Sequence, residues 1–237
     1  MVAAPSPSHR PARGLFITGT DTGVGKTVVA AAIVAALRRR EVPVRPLKPL
    51  ITGLDEPPDP VWPPDHELLG RAGGRESGEV MLIGYGPPVS PHLAAEQSGE
   101  PVRPGELERR IRTAPNDDEV LVVEGVGGLL VPIAPGYDVG ALAAALVLPL
   151  IVVARPGLGT INHALLTLEA ARSRGLHVAG VVLTPWPSDP DAIERSNLAT
   201  VARLGGVAVS VLPRLEAPEP DALAAAGDRL PLEDWLA

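Results

Sequence analysis

The sequence predicts an α/β fold, a doubly wound and mainly parallel sheet in one domain. Three observations predict it. The stretch Gly14 to Leu37, GLFITGTDTGVGKTVVAAAIVAAL, joins an apolar run to an Ala-rich helical stretch through a glycine turn. Short apolar runs without polar alternation, such as Val120 to Val123 and Leu150 to Ala154, read as strands covered on both faces. Helical stretches separate these runs, and strands alternating with helices build a parallel sheet with helices on both sides.

Taken in order, Leu15 to Thr18 is the first strand and Val28 to Arg40 the first helix, free of Gly and Pro. Between them lies Gly19-Thr20-Asp21-Thr22-Gly23-Val24-Gly25-Lys26-Thr27. Strand, glycine turn and helix is the layout of a phosphate-binding loop, which aims backbone N–H groups and the positive end of a helix at an anion. The predicted fold is therefore P-loop NTPase-like. Lys26 adds a positive charge and the Thr27 hydroxyl can hold a magnesium ion. The spacing is longer than usual: five residues separate Gly19 from Gly25, and Thr20 stands where a glycine is expected.

Val42 to Leu47 reads as a second strand that delivers Lys48-Pro49-Leu50-Ile51-Thr52-Gly53. Leu54 to Pro64, acidic and with five prolines, is a loop. Asp65 to Ala72 is a helix for which Asp65 is a candidate N-cap. Val80 to Pro91 reads as irregular, Pro91 to Glu96 as helical, and Glu106 to Thr113 as a charged surface helix. Val120 to Val123 ends in Glu124-Gly125-Val126-Gly127-Gly128, a carboxylate at the carboxyl end of a buried strand, where ligands of open α/β sheets sit. Asp138 to Leu146 is a helix, Leu150 to Ala154 a strand, and Ala164 to Ser173 a helix that either Thr160 or Asn162 can cap. Val178 to Leu183, Asp191 to Leu204 and Val207 to Leu212 continue the pattern, and Leu232 to Leu236 is a short final segment. Right-handed crossovers bring the loops after Thr18, Leu47, Val123 and Ala154 to one edge, with Lys26, Lys48, Glu124 and Asn162 on them.

Composition narrows the function classes. The 237 residues are 45% hydrophobic, enough for a sizeable core, yet only 3% aromatic, so that core is built from Ala, Val, Leu and Ile. A net charge of −7 argues against a general nucleic-acid binder. Without cysteine there are no disulfides, thiolate nucleophiles or zinc–thiolate sites, which fits a reducing, cytoplasmic setting. No apolar run is long enough for a membrane span, and residues 1–13 lack the apolar centre of a secretory signal. They read as a disordered tail before one domain over residues 14–237.

Phosphoryl transfer needs positive groups on the phosphates, magnesium with oxygen ligands and a positioned acceptor. Thr27, Asp65 and Glu124 can supply the oxygens, and Lys26 and Lys48 can share the charge on the transferred group.

The chain resembles dethiobiotin synthetase, an ATP-dependent ligase family. The matching pieces are Gly19-Thr20-Asp21-Thr22-x-Val24-Gly25-Lys26-Thr27, Lys48-Pro49-x-x-Thr52-Gly53, Ser90-Pro91-His92, Val123-Glu124-Gly125-x-Gly127-Gly128 and Leu158-Gly159-x-Ile161-Asn162-His163-Ala164. They occur in the family's order and span most of the chain. The resemblance implies that 7,8-diaminopelargonate, CO2 (or bicarbonate) and ATP give dethiobiotin, ADP and phosphate through a carbamate and a carbamic–phosphoric anhydride. It implies Lys48 as the active-site lysine beside Lys26, Thr52 as a substrate contact, and Thr27, Asp65 and Glu124 as ligands of Mg2+. Nucleotide contacts implied are Gly23, Val24, Gly25, Lys26, Thr27 and Val28, then Glu124, Gly125, Val126 and Gly127, and at the base Thr184, Pro185, Leu212, Pro213 and Arg214. It further implies a homodimer whose interface holds the site, with Gly159, Thr160, Ile161 and Asn162 receiving the substrate carboxylate from the partner subunit.

Departures from the family pattern sharpen these expectations. Gly23 replaces a glutamate that many members have, and Thr52 a serine. Val182-Leu183-Thr184-Pro185 lacks the Asn-Asp amide that reads the adenine edge, so relaxed base selection is expected. His92 either lines the substrate site or caps the following helix, and His163 reads as structural. An amidating ligase with a glutamine-hydrolysing domain is disfavoured by the missing cysteine. A partitioning ATPase is disfavoured because Gly19 to Thr22 include no signature lysine.

Overall fold

A computed structural model describes residues 13–57 and 59–237. Seven strands form one sheet: β1 (Gly14–Gly19), β2 (Val44–Ile51), β3 (Met81–Gly84), β4 (Val120–Gly128), β7 (Leu150–Ala154), β8 (Val178–Trp186) and β9 (Val209–Pro213). Their spatial order is β3-β2-β4-β1-β7-β8-β9, and every pairing is parallel. The chain builds outward from β1 to one side, then crosses to the other at β7. This reversal opens a crevice at the carboxyl ends of the central strands. Strands β5 (Pro132–Ala134) and β6 (Tyr137–Asp138) form a separate antiparallel hairpin.

The unbroken apolar runs explain why the sheet is covered on both faces. Leu15, Ile17, Val120 and Val122 enter a core with α1 (Lys26–Arg39), α2 (Asp65–Gly73), α9 (Pro220–Gly227) and α10 (Leu232–Trp235). Their neighbours Phe16, Leu121 and Val123 enter the opposite core with α4 (Pro91–Ser98), α5 (Pro104–Arg112), α6 (Val139–Leu146), α7 (Thr160–Ser173) and α8 (Ala192–Gly205). Side chains alternate across a strand, so both sets must be apolar. Among the described residues no helix is long and apolar enough to cross a membrane.

Several expectations need correction. The region expected to be irregular from Val80 contains α3 (Ser77–Val80) and the edge strand β3, which pairs with β2 through Lys48↔Met81 and Leu50↔Ile83. Its four residues are too few to show a period, and their partial exposure belongs to an edge. Asp65 is the first helical residue of α2 and Pro64 the N-cap, because the Asp65 carboxylate is drawn away to Thr27 and Lys48. Helix α7 begins at Thr160 with Gly159 as N-cap, so neither Thr160 nor Asn162 caps it. The expected tail lies outside the described residues except Arg13, whose carbonyl accepts a hydrogen bond from the Leu121 N–H at 2.9 Å.

Helix α9 has no counterpart among the expected elements, although Pro220 at its first position and its alanines are helix signals. It packs closely on α1: a Cβ on Gly227 would lie 2.0 Å from the Ala32 carbonyl oxygen and 2.8 Å from Ala36 Cβ. Gly227→Ala is expected to overpack this contact by about 2 kcal/mol and lower Tm by roughly 4–8 °C, measured by differential scanning calorimetry.

Candidate functional site

The site is built at the crevice by strand register. In β1 and β4, Ile17 pairs with Glu124, and in β2 and β4, Leu47 pairs with Val123. Lys48 and Glu124, one step beyond the second pair, therefore stand side by side within β2 and β4, which run on to Ile51 and Gly128 past the expected ends at Leu47 and Val123 because the chain stays extended and paired there. The phosphate loop leaves β1 beside them. Gly23 (φ 68°) and Gly25 (φ 93°) both hold left-handed backbone, which only glycine adopts without strain. Gly25 is the N-cap of α1 and makes no side-chain cap, which leaves first-turn N–H groups available to an anion.

The buried Lys26 ammonium donates to the Asp21 carbonyl at 2.9 Å. Burial, with repulsion from Lys48, pulls its pKa down to about 8. The Thr27 hydroxyl lies 2.8 Å from Asp65 Oδ1 and 3.0 Å from Glu124 Oε1. Lys48 Nζ is 2.9 Å from Asp65 Oδ2, donates to the Gly125 carbonyl at 3.2 Å and contacts Glu124 Oε1 directly. Burial alone would depress Lys48, but the charges and hydrogen bonds of Glu124 and Asp65 outweigh it and hold the ammonium above the ordinary lysine value. Burial pushes Glu124 up, against the pull of Lys48. Burial acts upward on Asp65 too, but there Lys48 and the Thr27 hydrogen bond win and hold it low.

Glu124 Oε2 is buried and has no hydrogen-bond partner. An orphaned carboxylate oxygen beside an aspartate and a threonine hydroxyl is chemically suited to Mg2+, which takes hydroxyl and carboxylate ligands and fills its other positions with water and phosphate oxygens. Among the described residues no group of three His, Cys, Asp or Glu is gathered for a metal. Thr27, Asp65 and Glu124 thus fit a hard cation that shares its coordination with a phosphorylated ligand.

Thr22, Gly23, Gly25, Lys26, Thr27 and Val28 line one cavity of about 720 Å³. Lys48, Thr52, Asp65, Glu124, Val126 and Gly127 line the same cavity. Val24 is buried beside the loop, and Gly125 contributes its carbonyl to Lys48. The remaining candidates stand apart from this lining. Thr184 is buried against the back of the loop, where a Cβ on Gly25 would lie 2.8 Å from Thr184 Cγ2. Pro185 lies near the end of β8, Leu212 is in the core, Pro213 ends β9, and exposed Arg214 donates its N–H to the Trp186 carbonyl at 2.9 Å. Gly159, Thr160, Ile161 and Asn162 sit at the start of α7, outside the cavity. His92 is exposed, its Nδ1 3.0 Å from Ser90 Oγ, and His163 is exposed on α7.

The cavity also has walls that residue patterns did not reveal, Glu56, Trp62 and Pro63 from the proline-rich loop and Pro88 before α4, and it takes in Ser90 and Pro91 of the Ser90-Pro91-His92 motif at the start of α4. The nearest signal was Asp59, whose Oδ1 accepts from the N–H groups of both Val61 and Trp62 at 2.8 Å and so turns the loop inward.

A parallel sheet, a glycine loop opening α1, two lysines and a magnesium-type oxygen set define a phosphate-loop nucleotide-binding protein. Fold neighbours share the architecture. A ParA family ATPase from Chlorobium tepidum TLS superimposes with a TM-score of 0.51 at 14% identity, covering 94% of this chain and 93% of that one. Chloroplast FtsY from Physcomitrella patens gives 0.50 at 16% identity, covering 93% of this chain and 66% of that one. A family model described as an AAA domain matches residues 13–220. ATP-dependent dethiobiotin synthetase of Anaeromyxobacter dehalogenans (strain 2CP-1) is 43% identical, over 81% of this chain and 85% of its own. The synthetases of Haloferax mediterranei (37%; 93% and 92%) and Bacillus subtilis strain 168 (35%; 86% and 88%) match similarly. The chain belongs to the ATP-dependent dethiobiotin synthetase family.

Gly25→Ala combines left-handed backbone with the Thr184 contact. It is expected to weaken Mg-ATP binding about tenfold or more by calorimetry, since about 1–2 kcal/mol of strain falls on the loop. Gly25→Ala with Thr184→Ser, which removes Cγ2, is expected to recover part of the loss.

Proposed function

We propose that this protein carboxylates 7,8-diaminopelargonate and closes it to dethiobiotin with ATP. Family membership makes it an ATP-dependent ligase of biotin biosynthesis. The single observation that carries the finer reading is that Lys26, Lys48, Thr52 and Glu124 line one cavity. A phosphate loop alone serves many reactions. A second ammonium beside it, on β2 across β4 from the loop's own strand, suits transfer of a phosphoryl group onto an anionic acceptor.

In this reading one amine of the diamine adds to CO2 and releases a proton, giving a carbamate held by Lys48 and the Thr52 hydroxyl. A carbamate oxygen attacks the γ-phosphorus and ADP leaves. The second amine attacks the carbonyl carbon, the urea ring closes and phosphate leaves. Lys26 follows the charge on the β and γ phosphates, and Lys48 neutralises the two anions that must meet. Thr27, Asp65 and Glu124 would hold Mg2+, which supplies charge neutralisation on the phosphates. Asp65 and Glu124 also keep Lys48 protonated and fixed in direction. Gly23 to Val28 and Glu124 to Gly127 would contact the phosphates, and Pro185 and Leu212 to Arg214 the base.

The start of α7 is assigned to the partner subunit's site in a homodimer. The 95% exposed Leu158, exposed Leu166 and the buried, unpartnered Thr160 Oγ1 support an unsatisfied surface there. A helix N-terminus suits the substrate carboxylate. The protein acts in the cytoplasm in this reading.

Incubation with diaminopelargonate, labelled bicarbonate and ATP is expected to yield the labelled cyclic urea, and no product would refute the assignment. Lys48→Ala is expected to abolish turnover while nucleotide still binds through Lys26; near-normal turnover would remove Lys48 from the mechanism. Because Thr184 packs beneath Gly25 and carries no amide, a panel of nucleoside triphosphates is expected to support turnover to similar extents. Strict ATP preference would reverse that reading.

A further inference from the structure

We infer that Glu56 recognises the second amine of the diamine, so that the turn after β2 selects a vicinal diamine over a single amine. This inference builds on the reaction proposed above and concerns the wall opposite the phosphates.

Three carboxylates line the cavity among the described residues: Glu56, Asp65 and Glu124. Two are committed, since Asp65 and Glu124 each face Lys48 and the Thr27 hydroxyl. Glu56 is in no ion pair among the described residues and touches neither lysine, so it is the cavity's uncommitted anion. An amine-bearing substrate entering beside two lysines meets repulsion. A carboxylate on the substrate side offsets it.

The position is built rather than loose. The Gly53 N–H donates to the Pro87 carbonyl at 3.0 Å, Leu54 to Tyr85 at 3.1 Å, and Asp55 to Gly86 at 3.0 Å. The Glu56 N–H donates back to the Gly53 carbonyl at 3.1 Å. Four backbone hydrogen bonds therefore hold the turn that carries the carboxylate. Gly53, at φ 85°, has no side chain, and a Cβ there would lie 2.7 Å from Glu56 Oε2. The carboxylate is thus folded over Gly53, the chain neighbour of Thr52, and Pro88 Cβ lies 3.4 Å from the position of that same Cβ. Nitrogens on adjacent carbons stay close together. A substrate whose first nitrogen is held near Thr52 presents its second to Glu56. Glu56 is itself exposed at the cavity mouth, where its carboxylate is free to form a charge-assisted hydrogen bond with an incoming ammonium.

The test is Glu56→Gln, with Glu56→Asp beside it. Losing one charge-assisted hydrogen bond is expected to raise KM for the diamine about tenfold or more in the glutamine variant, with KM for ATP within about twofold of the parent. The aspartate variant is expected to recover part of the loss. By calorimetry, which needs no turnover, the parent is expected to bind the diamine more tightly than an analogue lacking one amine, and Glu56→Gln to narrow that gap. Equal diamine affinity in parent and variant, no diamine binding by the parent, or an equal rise in KM for both substrates overturns the inference. Failure of the parent to form the cyclic urea, with diamine binding still dependent on Glu56, overturns the reaction instead and leaves this recognition standing.

Discussion

The ion pair between Lys48 and Glu124 is the constraint around which the crevice is organised. Both groups are buried on the neighbouring strands β2 and β4, where an unpaired charge would be costly. The pair is acceptable because it is not isolated. Asp65 shares the ammonium, the Gly125 carbonyl accepts from it, and the Thr27 hydroxyl bridges the two carboxylates. Four segments distant in sequence are thereby tied at one point: α1, β2, α2 and β4. The same atoms that satisfy one another are those a phosphate and its metal would engage.

That economy explains the local rules the chain breaks. A helix-initial aspartate would ordinarily cap its own helix, but Asp65 reaches across to α1 and β2, and Pro64 takes the N-cap place. An aliphatic strand would ordinarily be apolar throughout, but β4 carries a buried glutamate at its middle whose second oxygen has no partner. Such local conflicts are expected where a site is built and are compensated elsewhere. Here the compensation is a sheet apolar on both faces and an Ala-rich α1 against which α9 packs closely.

The cavity divides into two halves of opposite character. The phosphate half is made of backbone, glycines and fixed charge, and its shape follows from β1, α1 and β4. The other half is made of the turns after β2 and β3, where Thr52, Glu56 and Pro88 meet. In the proposed reaction the second half would meet the diamine, with backbone hydrogen bonds from Gly53, Leu54 and Asp55 keeping its turns in place.

The phosphate loop, the two lysines, Glu124 and the parallel α/β class were legible in the chain itself. Each is announced by covalent neighbours: a buried strand ending in glycines, a helix opening on Lys-Thr, apolar runs without alternation. Edge strand β3, helix α9 and the walls at Glu56, Trp62 and Pro88 were not legible in that way. Four-residue elements and proline-rich loops carry no period, and their positions depend on hydrogen bonds to segments tens of residues away. Asp65 lies between the two cases, since its helix was readable but its direction was not. Sequence alone determined which groups could carry the chemistry, because local spacing sets strand ends and helix starts. Only the tertiary structure decided which of them share a cavity, because strand register and long-range pairing set the distances on which charge and hydrogen bonding act.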